Sequence, residues 1–405
     1  MAVIVPFKAV RPTSDKVSLV TSRSYEDYSS AELAAQLEFN PLSFLHVLHP
    51  AYSNQQMVSA DNRFRKVSQK YEEFKDDYVL VQDEMPAIYI HRIISGQRTF
   101  TGIIVGTSVE DYKNDIIKRH EDTLEYRVAF FKDYLKYSGF NTEPVLMTYP
   151  DNPLIDQWIT EKTSVAADYE FSTTRQDLHF LWKIDDENEI QQIQRTFLEI
   201  GNLYIADGHH RCASAELLYD EIKPAAGQNE NYFMSFLISE SNVRIYEYNR
   251  LIKDLNGLTE ASFFEKLSET FDIAPMQLDS RPERKHEFVM YLAQDRYLLT
   301  LKPDGSKFKS ILESLDPQIL YDKVLSSVLG IYDLRNDARI AYLPGKNPLI
   351  EIRHKIESGA FKVAFVLYPT AIEDIKAIAD AHLIMPPKST YIEPKFRSGL
   401  VVYEL

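Results

Sequence analysis

The chain has 405 residues, enough for two or three domains' worth of hydrophobic core, and its 44% of hydrophobic and 26% of charged residues are ordinary for a soluble globular protein. The formal net charge of −15 argues against a nucleic-acid partner, because proteins that bind nucleic acid normally carry a basic surface. A single cysteine, Cys212, excludes an intramolecular disulfide framework and any multi-cysteine metal site.

No apolar run approaches the ~20 residues that a bilayer-spanning helix requires. The segment around Val3 and Phe7 lacks the charged region, apolar core and cleavage site of a signal peptide. We therefore expect a cytoplasmic protein without a membrane partner, in which Cys212 is a small buried residue.

Hydrophobic periodicity divides the chain into four consecutive segments. Residues 1–125 are predicted to be mixed α/β, with helices over 30–39, 61–76 and 109–124 and strands over 87–93 and 100–105. Residues 126–255 alternate more regularly, with strands over 144–149, 178–184, 203–206, 232–239 and 244–248 and helices over 188–199 and from about residue 208. This alternation predicts a sheet domain of the α/β or α+β class.

The second half of the chain begins with a change of pattern. Residues 256–330 carry charged helical faces and one predicted strand, 297–301, which indicates a helix-rich accessory lobe. Residues 331–405 return to a buried-strand composition at 363–367, followed by a helix over 371–382 and a closing segment. We expect this last segment to return to the core domain.

The most informative motif is Asp-Gly-His-His-Arg at residues 207–211, where an apolar run stops and a helical pattern begins. Helix N-termini bind anions through their backbone N–H groups and dipole, and Gly208 allows a tight turn and a close backbone approach. His209, His210 and Arg211 add hydrogen bonds, a titratable proton and a fixed charge. The motif predicts an anion site, with phosphate as the first choice. Alternatively, Asp207 caps the helix, Arg211 pairs with a carboxylate and the histidines are satisfied polar residues.

A second set of polar residues follows the helix predicted over 371–382. Pro386 and Pro387 stiffen the chain as it leaves that helix, and Lys388, Ser389 and Thr390 then offer an ammonium and two hydroxyls. That chemistry suits a phosphate or the carboxylate of a small substrate. The alternative is a loop capped by hydroxyls with a solvated lysine. It is not a Walker A loop, because the preceding glycines are absent.

A charged run at residues 118–122 ends a helical pattern and resembles a solvated face. His120 and Glu121 become site residues only if the fold brings them to the motif. Adjacent His209 and His210 point about 100° apart on a helix and form a poor chelating pair. The chain contains no G-x-S-x-G elbow and no G-x-G-x-x-G after a strand.

At these residues the chain resembles the bacterial and archaeal proteins grouped as domain of unknown function 1015. The pieces that match in order are Pro6-Phe7, residues 40–47 (Asn-Pro-Leu-Ser-Phe-Leu-His-Val), residues 118–121, residues 207–211, residues 385–390 (Met-Pro-Pro-Lys-Ser-Thr) and residues 399–401. That family is similar to the ParB/sulfiredoxin-like fold. The resemblance implies an α+β (mixed α/β) fold, with a ParB/sulfiredoxin-like core and a helix-rich insertion.

The shared feature of that fold is a Gly-x-x-Arg phosphate loop, and Gly208 to Arg211 fits the spacing. The superfamily implies three functional classes: DNA- and nucleotide-binding partition proteins, sulfiredoxins, and kinases that act on free serine. A sulfiredoxin needs a cysteine inside the loop, where this chain has histidines, and Cys212 lies just after the arginine. A partition protein needs a basic DNA-binding module, which the acidic balance argues against.

The chain departs from the family pattern at two places. A usual Pro-Pro-Tyr-Asp element is Arg-Ser-Tyr-Glu at residues 23–26, so Glu26 keeps a carboxylate that is one methylene longer. A usual Pro-Thr-His-Arg element is Glu-Tyr-Asn-Arg at residues 247–250. Asn249 is a neutral amide, so a proton-transfer role for the usual histidine does not carry over, while Arg250 is retained.

We therefore predict a phosphotransferase, a small-molecule kinase, that acts on a small hydroxyl metabolite such as free L-serine. The donor is ATP, ADP or pyrophosphate, and Mg²⁺ held by Asp207 and donor oxygens is the expected metal. The catalytic residues are expected to be Asp207, Glu26 and His210, with Glu121 as a third choice of carboxylate. The predicted phosphate-binding residues are Gly208, His209, Arg211, Lys388, Ser389 and Thr390, and supporting positions are His120, Glu121 and Arg250. The alternative is a non-catalytic ParB-like protein that binds nucleotide or phosphate, or one related to DNA partition.

Overall fold

The computed structural model describes the backbone of residues 1–405, and the side chains of all of them except residues 304 and 306. Its α-helices are α1 (Val17–Val20), α2 (Ser30–Phe39), α3 (Leu45–Tyr52), α4 (Ala60–Asp76), α5 (Val109–Lys113), α6 (Glu125–Ser138), α7 (Pro153–Lys162), α8 (Glu187–Glu199), α9 (His209–Ile222), α10 (Glu260–Ser268), α11 (Asp316–Leu320), α12 (Leu349–Glu357) and α13 (Ile372–Asp380). Short 3-10 helices span Tyr25–Asp27, Asn229–Asn231, Glu240–Asn242, Pro303–Ser306 and Leu312–Ser314, and a π-helix spans Tyr321–Ser326.

The strands are, in chain order, β1 (Ile4–Val5), β2 (Val10–Pro12), β3 (Leu80–Gln82), β4 (Ile88–Ser95), β5 (Arg98–Ser108), β6 (Ile117–Lys118), β7 (Phe140–Asn141), β8 (Val145–Tyr149), β9 (Tyr169–Ser172), β10 (Leu178–Ile184), β11 (Leu203–Asp207), β12 (Tyr232–Ser239), β13 (Arg244–Ile252), β14 (Phe271–Met276), β15 (Glu287–Leu292), β16 (Asp295–Leu301), β17 (Ile340–Pro344), β18 (Val363–Leu367), β19 (Thr390–Glu393) and β20 (Tyr403–Glu404).

Contacts within the chain divide it into two compact units. Unit 1 holds Met1–Lys118, Thr123–Val243 and Pro394–Leu405, and unit 2 holds Arg119–Asp122 and Arg244–Glu393. Each unit is therefore assembled from separate stretches of sequence. The division into segments 1–125, 126–255, 256–330 and 331–405 stays a prediction.

Unit 1 is built on a mixed sheet. Its strand order is β6-β11-β8-β12-β5-β4-β10-β9, and β1 also pairs with β5. The β11–β6 and β12–β8 pairs are parallel, and the other pairs are antiparallel. The order places β11 directly beside β8, although α7, β9, β10 and α8 separate them in the sequence. This neighbour relation decides which side chains meet at the end of β11.

Among the described residues, unit 1 includes two hydrophobic cores, and each helix facing them has apolar residues at helical spacing. The first core packs α5, α7, α8 and α9 against one face of the sheet, and α8 contributes Ile190, Ile193 and Phe197. Phe197 is fully buried, so truncation to alanine would destabilise unit 1 by about 3–5 kcal/mol. The second core joins α3 and α4, and α4 contributes Phe64, Val67, Tyr71 and Phe74.

Unit 2 has an antiparallel sheet of its own, with strand order β14-β16-β15-β18-β13-β17 and with β19 also paired to β13. β13 pairs with β19 along its first half and with β17 and β18 along its second half. Because side chains alternate along a strand, the consecutive residues Leu251 and Ile252 enter different cores on the two faces.

The α+β class predicted from the sequence is confirmed, since unit 1 has a mixed sheet, unit 2 has an antiparallel sheet, and both units carry helices. The helix predicted over 109–124 is wrong beyond α5. The backbone leaves the helix at Asp115, whose φ is +58°, and Ile117–Lys118 then form β6. The charged run at 118–122 therefore follows a short strand and does not end a helix.

The segment 256–330 contains α10 and α11, and its predicted strand 297–301 lies within β16. β14 and β15 were not predicted. β15 is buried along its whole length, and a short continuous apolar run cannot be told from a buried helical turn by periodicity. β14 has three exposed residues among its six and lacks a regular alternation of buried and exposed positions.

Candidate functional site

The predicted strand–glycine–helix motif is present at the junction of β11 and α9. Gly208 has φ +104° and ψ +26°, in the left-handed region that strains residues with a Cβ atom. Its carbonyl accepts hydrogen bonds from the backbone N–H groups of Arg211 (2.9 Å) and Cys212 (3.2 Å), which starts the helix. The β11–β8 register shifts between Ile205 and Asp207, so the end of β11 is re-aimed just before the turn.

The Arg211 side chain folds back over this turn. A Cβ atom added to Gly208 would lie 2.8 Å from Nε and 2.9 Å from Nη2 of Arg211. Nη2 donates to Asp207 Oδ2 at 3.1 Å, and Nη1 donates to Glu143 Oε2 at 3.3 Å. Two carboxylates therefore fix the guanidinium beside the glycine, and only a residue without a Cβ leaves room for it in this position.

Asp207 contacts a second cation. Its Oδ1 lies 3.2 Å from Nζ of Lys395, which belongs to the C-terminal stretch of unit 1. Burial alone would raise the pKa of the Asp207 carboxyl, but the positive charges of Lys395 and Arg211 outweigh it and lower the pKa to about 2. Asp207 is therefore ionised at every physiological pH.

Glu143 connects the site to the C-terminal stretch as well. Its Oε1 accepts a hydrogen bond of 2.7 Å from Ser398 Oγ, and Ser398 is fully buried. The backbones of Ser398 and Ser22 exchange two hydrogen bonds, which fix the stretch in place. We call Asp207, Arg211, Glu143, Lys395 and Ser398 the Arg211 cluster. Its two carboxylates and two cations balance in formal charge.

The other residues of the motif are buried or hydrogen-bonded at the start of α9. His209 is 4% exposed. His210 Nε2 accepts a hydrogen bond of 3.1 Å from the backbone N–H of Leu124, the residue that precedes α6. Burial raises the pKa of the Cys212 thiol, so Cys212 is the buried small residue that the sequence predicted.

Glu26 lies in the 3-10 helix Tyr25–Asp27, and its carboxylate is bound by Arg127 Nη2 at 3.0 and 3.1 Å. Tyr52 stacks on Tyr25 with a ring separation of 4.1 Å. Burial, followed by the negative charges of Glu26 and Glu143, raises the pKa of the Tyr52 hydroxyl. The negative charges of Glu26 and of Glu143, a member of the Arg211 cluster, therefore both raise the pKa of Tyr52.

The remaining predicted residues belong to unit 2. The backbone of the buried His120 accepts a hydrogen bond from Met385, and Ser389 Oγ donates to the carbonyl of Pro386 at 2.6 Å. Others belong to the same unit: Glu121, Arg250, Lys388 and Thr390. Their predicted role in the same phosphate site as Gly208 and Arg211 stays a prediction.

Sequence reasoning missed Glu143, Lys395 and Ser398. Glu143 lies two residues before the start of β8, and Asp207 ends β11. The antiparallel β8–β11 pair brings the beginning of one strand beside the end of the other. Local sequence patterns predicted β8 and β11 as strands. No local pattern indicates that these two strands are neighbours in the sheet.

Among the residues whose side chains are described, no group of three or more His, Cys, Asp or Glu side chains is placed to hold a metal ion. A Mg²⁺ site that uses one or two carboxylates together with donor phosphates falls outside that criterion, so Asp207 as its ligand stays a prediction. Within the described chain, no helix is both long and apolar enough to cross a membrane.

The model of the family described as "Protein of unknown function (DUF1015)" matches residues 4–318. The chain belongs to the DUF1015 family. This DUF1015 protein matches none of the curated proteins with which it was compared.

Among solved structures, the DUF1015 chain is similar to Staphylococcus aureus SbnI with a C-terminal truncation (13% identity, TM-score 0.39, 73% of this chain and 85% of that chain covered). It is also similar to a variant of a free serine kinase in complex with AMP (14%, 0.39, 76% and 94%). A third similar structure is a conserved hypothetical protein from Pyrococcus furiosus (14%, 0.35, 75% and 94%).

Proposed function

We propose that this protein binds a phosphate donor at the Arg211 cluster and transfers a phosphoryl group to a small hydroxyl metabolite such as free L-serine. The observation that carries the proposal is the Arg211 guanidinium, held by Asp207 and Glu143 over a left-handed glycine at a helix N-terminus. A hydrogen-bond donor that is fixed in place before the substrate binds stabilises the charge that develops in the transition state without having to reorganise. Phosphoryl transfer asks mainly for such positioning and positive charge.

In this proposal, Arg211 and the backbone at Gly208 and His209 bind the transferring phosphate of ATP, ADP or pyrophosphate. Lys395 supplies a second positive charge. We assign Asp207 to holding Arg211 and Lys395, because a carboxyl with a pKa of about 2 is a weak proton acceptor. His210 has one ring nitrogen engaged by Leu124, which supports a positioning role at the start of α6.

We assign proton acceptance to Glu26. As the acceptor hydroxyl oxygen bonds to phosphorus, the bond from phosphorus to the bridging oxygen of the donor breaks, and the hydroxyl proton passes to the Glu26 carboxylate. The leaving group is ADP from ATP, AMP from ADP, or phosphate from pyrophosphate. Arg127 holds that carboxylate in one orientation in the absence of substrate.

Mg²⁺ would neutralise charge on the donor phosphates when bound. Asp207 and Glu143 are the carboxylates of the Arg211 cluster that would hold it, which matches the one or two carboxylates that Mg²⁺ usually takes from proteins. Both Asp207 oxygens contact cations, so coordination there would replace the contact with Lys395 or with Arg211.

The test is O-phosphoserine formation, measured by mass spectrometry with L-serine, Mg²⁺ and, separately, ATP, ADP or pyrophosphate. Arg211→Ala should lower turnover by about 10²–10³, the loss typical of a group that stabilises transition-state charge. The matched control is Arg195→Ala, which removes an exposed arginine from α8. A folded Arg211→Ala protein with full activity would contradict the proposal, and no product with any donor would reject serine as the acceptor.

A second candidate is a non-catalytic protein that binds phosphate or nucleotide. It is favoured by the formal charge balance of the Arg211 cluster and by the pairing of Glu26 with Arg127. Glu26→Gln separates the two functions. A kinase should lose turnover while its donor affinity is unchanged, whereas a binding protein has no turnover to lose. The acidic composition still argues against the alternative related to DNA partition.

A further inference from the structure

Unit 2 contains a buried arginine that forms no ion pair with a described carboxylate. Arg250 lies in the second half of β13 and is 1% exposed. Its Nη1 donates to the carbonyl of Tyr248, and its Nε has no hydrogen-bond partner. Across the residues whose side chains are described, no carboxylate lies within ion-pair distance of it. Burial lowers the pKa of Arg250 to about 10, although Tyr342 and the negative charge of Glu247 oppose the shift, so Arg250 remains charged at neutral pH.

Tyrosine rings surround this guanidinium. Tyr342 faces Arg250 across the β13–β17 pair, and the guanidinium lies 5.6 Å from its ring centre. Tyr248 lies two positions from Arg250 and therefore on the same face of the sheet. Its ring makes edge contacts with Tyr342 (6.3 Å) and with Tyr391 (5.8 Å). These partly exposed rings form a flat-walled aromatic border beside the buried charge.

A second cation reaches the same face. Lys388 Nζ lies 5.2 Å above the Tyr248 ring, and the structure records no carboxylate within ion-pair distance of it among the described side chains. Lys346, above Tyr391, differs because it pairs with Glu393 at 3.2 Å. Arg250 and Lys388 thus provide two positive charges that form no ion pair with a described carboxylate. The Glu247 carboxylate, whose charge acts on Arg250, is itself paired with Arg281.

A buried charge without an ion pair destabilises a folded chain, and a ligand that completes its hydrogen bonds is one reason for a protein to retain it. Arg250 stands in a strand position that an apolar side chain of similar length could fill. Its planar fork of donors matches the oxygens of a phosphate, and the charge of Arg250 with Lys388 matches a dianion. The tyrosine border suits a planar ring attached to that phosphate.

We infer that unit 2 has an anion site of its own, in which Arg250 and Lys388 bind a phosphate group carried on a planar ring, as in a nucleoside monophosphate. The inference does not rest on the proposed function of the Arg211 cluster. Because Arg250 is 1% exposed, the inference requires a bordering tyrosine ring to rotate before a ligand contacts the guanidinium, a motion that partly exposed side chains make readily.

The experiment measures thermal stability and affinity in the full chain carrying Arg211→Ala, so that anions bound at Arg211 do not contribute. The probes are inorganic phosphate and AMP. Three further substitutions are compared in that background: Arg250→Met, Lys388→Ala and, as a control, Lys266→Ala, which removes an exposed cation from α10.

We expect Arg250→Met to leave the Tm without ligand equal or higher and to abolish the Tm increase caused by AMP. Lys388 is exposed, so the Lys388→Ala protein should fold. The substitution should weaken AMP binding by about tenfold, because it removes one charge-assisted contact. Lys266→Ala should change neither quantity. AMP should bind more tightly than inorganic phosphate, because the ring adds contacts with the tyrosines.

Three results would overturn the inference. One is no ligand-dependent Tm increase in the Arg211→Ala chain. Another is an Arg250→Met protein with a lower Tm and an unchanged response to AMP, which would identify Arg250 as a structural residue. The third is equal affinity for AMP and inorganic phosphate, which would remove the planar ring from the assignment.

Discussion

Unit 1 contains a buried pair of histidines whose effect on stability can be calculated. His91 Nε2 and His179 Nδ1 are 3.1 Å apart, and the residues are 1% and 3% exposed. Phe171 stacks on His179 with ring centres 5.0 Å apart, and Phe236 meets the edge of His91 at 6.1 Å. Burial lowers the pKa of His91 from 6.5 to about 3, and burial with the charge of the other ring lowers that of His179 to about 2.

Both pKa values are lowered by folding, so acid favours the unfolded state. The unfolded chain takes up two protons as the pH falls below 6.5, while the folded chain takes up none until about pH 3. Once the unfolded histidines are fully protonated, well below pH 6.5, each further pH unit therefore removes about 1.36 kcal/mol per histidine from the free energy of unfolding. Because an unfolded histidine is only half protonated at pH 6.5, the two histidines together should remove about 3 kcal/mol between pH 6.5 and about pH 5.

The perturbation is the double variant His91→Gln with His179→Gln, which keeps polar side chains but cannot titrate. Trp158 and Trp182 both lie in unit 1, so tryptophan fluorescence during urea unfolding reports on this unit. Between pH 6.5 and pH 5, the free energy of unfolding should fall by about 3 kcal/mol more in the wild-type chain than in the variant. Equal pH dependence in the two proteins would refute the reasoning.

Three further outcomes are expected from single substitutions. Gly208→Ala should destabilise unit 1 by about 1–3 kcal/mol in the same fluorescence assay, because φ is +104° and the Cβ atom would displace Arg211; an unchanged midpoint would contradict this. Asn249→Val should raise the calorimetric Tm, because it removes two buried amide atoms that have no hydrogen-bond partner, a gain in stability of about 1–2 kcal/mol. A lower Tm would show that the amide is needed. Burial raises the pKa of Asp316 to about 7, so ionisation destabilises the folded chain as the pH rises from 3.8 through 7. Asp316→Asn should therefore raise the Tm near pH 8 and change it little near pH 4, and an equal change at both pH values would contradict this pKa.

The sequence predicted the part of the candidate site that is built from consecutive residues. Gly208 indicated the turn, the apolar run before it indicated β11, and the helical pattern after it indicated α9. Arg211 was expected to bind an anion or to pair with a carboxylate. In the structure it pairs with Asp207 and Glu143.

The wrong helix over 109–124 shows the limit of periodicity. Its pattern continues past Lys113, but Asp115 adopts φ +58° and Ile117 joins the sheet beside Leu203. The two-residue strand β6 pairs with β11, which lies far away in the sequence, so no local pattern predicts that β6 is a strand. The two histidines are a similar case, since β4 and β10 bring His91 and His179 together across 88 positions.

The sequence by itself determined the α+β class and the β11–Gly208–α9 turn, because side-chain periodicity and the freedom of glycine act over a few neighbouring residues. Only the tertiary structure decided which charges hold Arg211. Glu143 lies 68 positions away and reaches Arg211 because β8 pairs with β11, and Ser398 reaches Glu143 across 255 positions because the C-terminal stretch returns to unit 1. Strand order and chain return are set by the packing of whole cores, which no single stretch of sequence encodes.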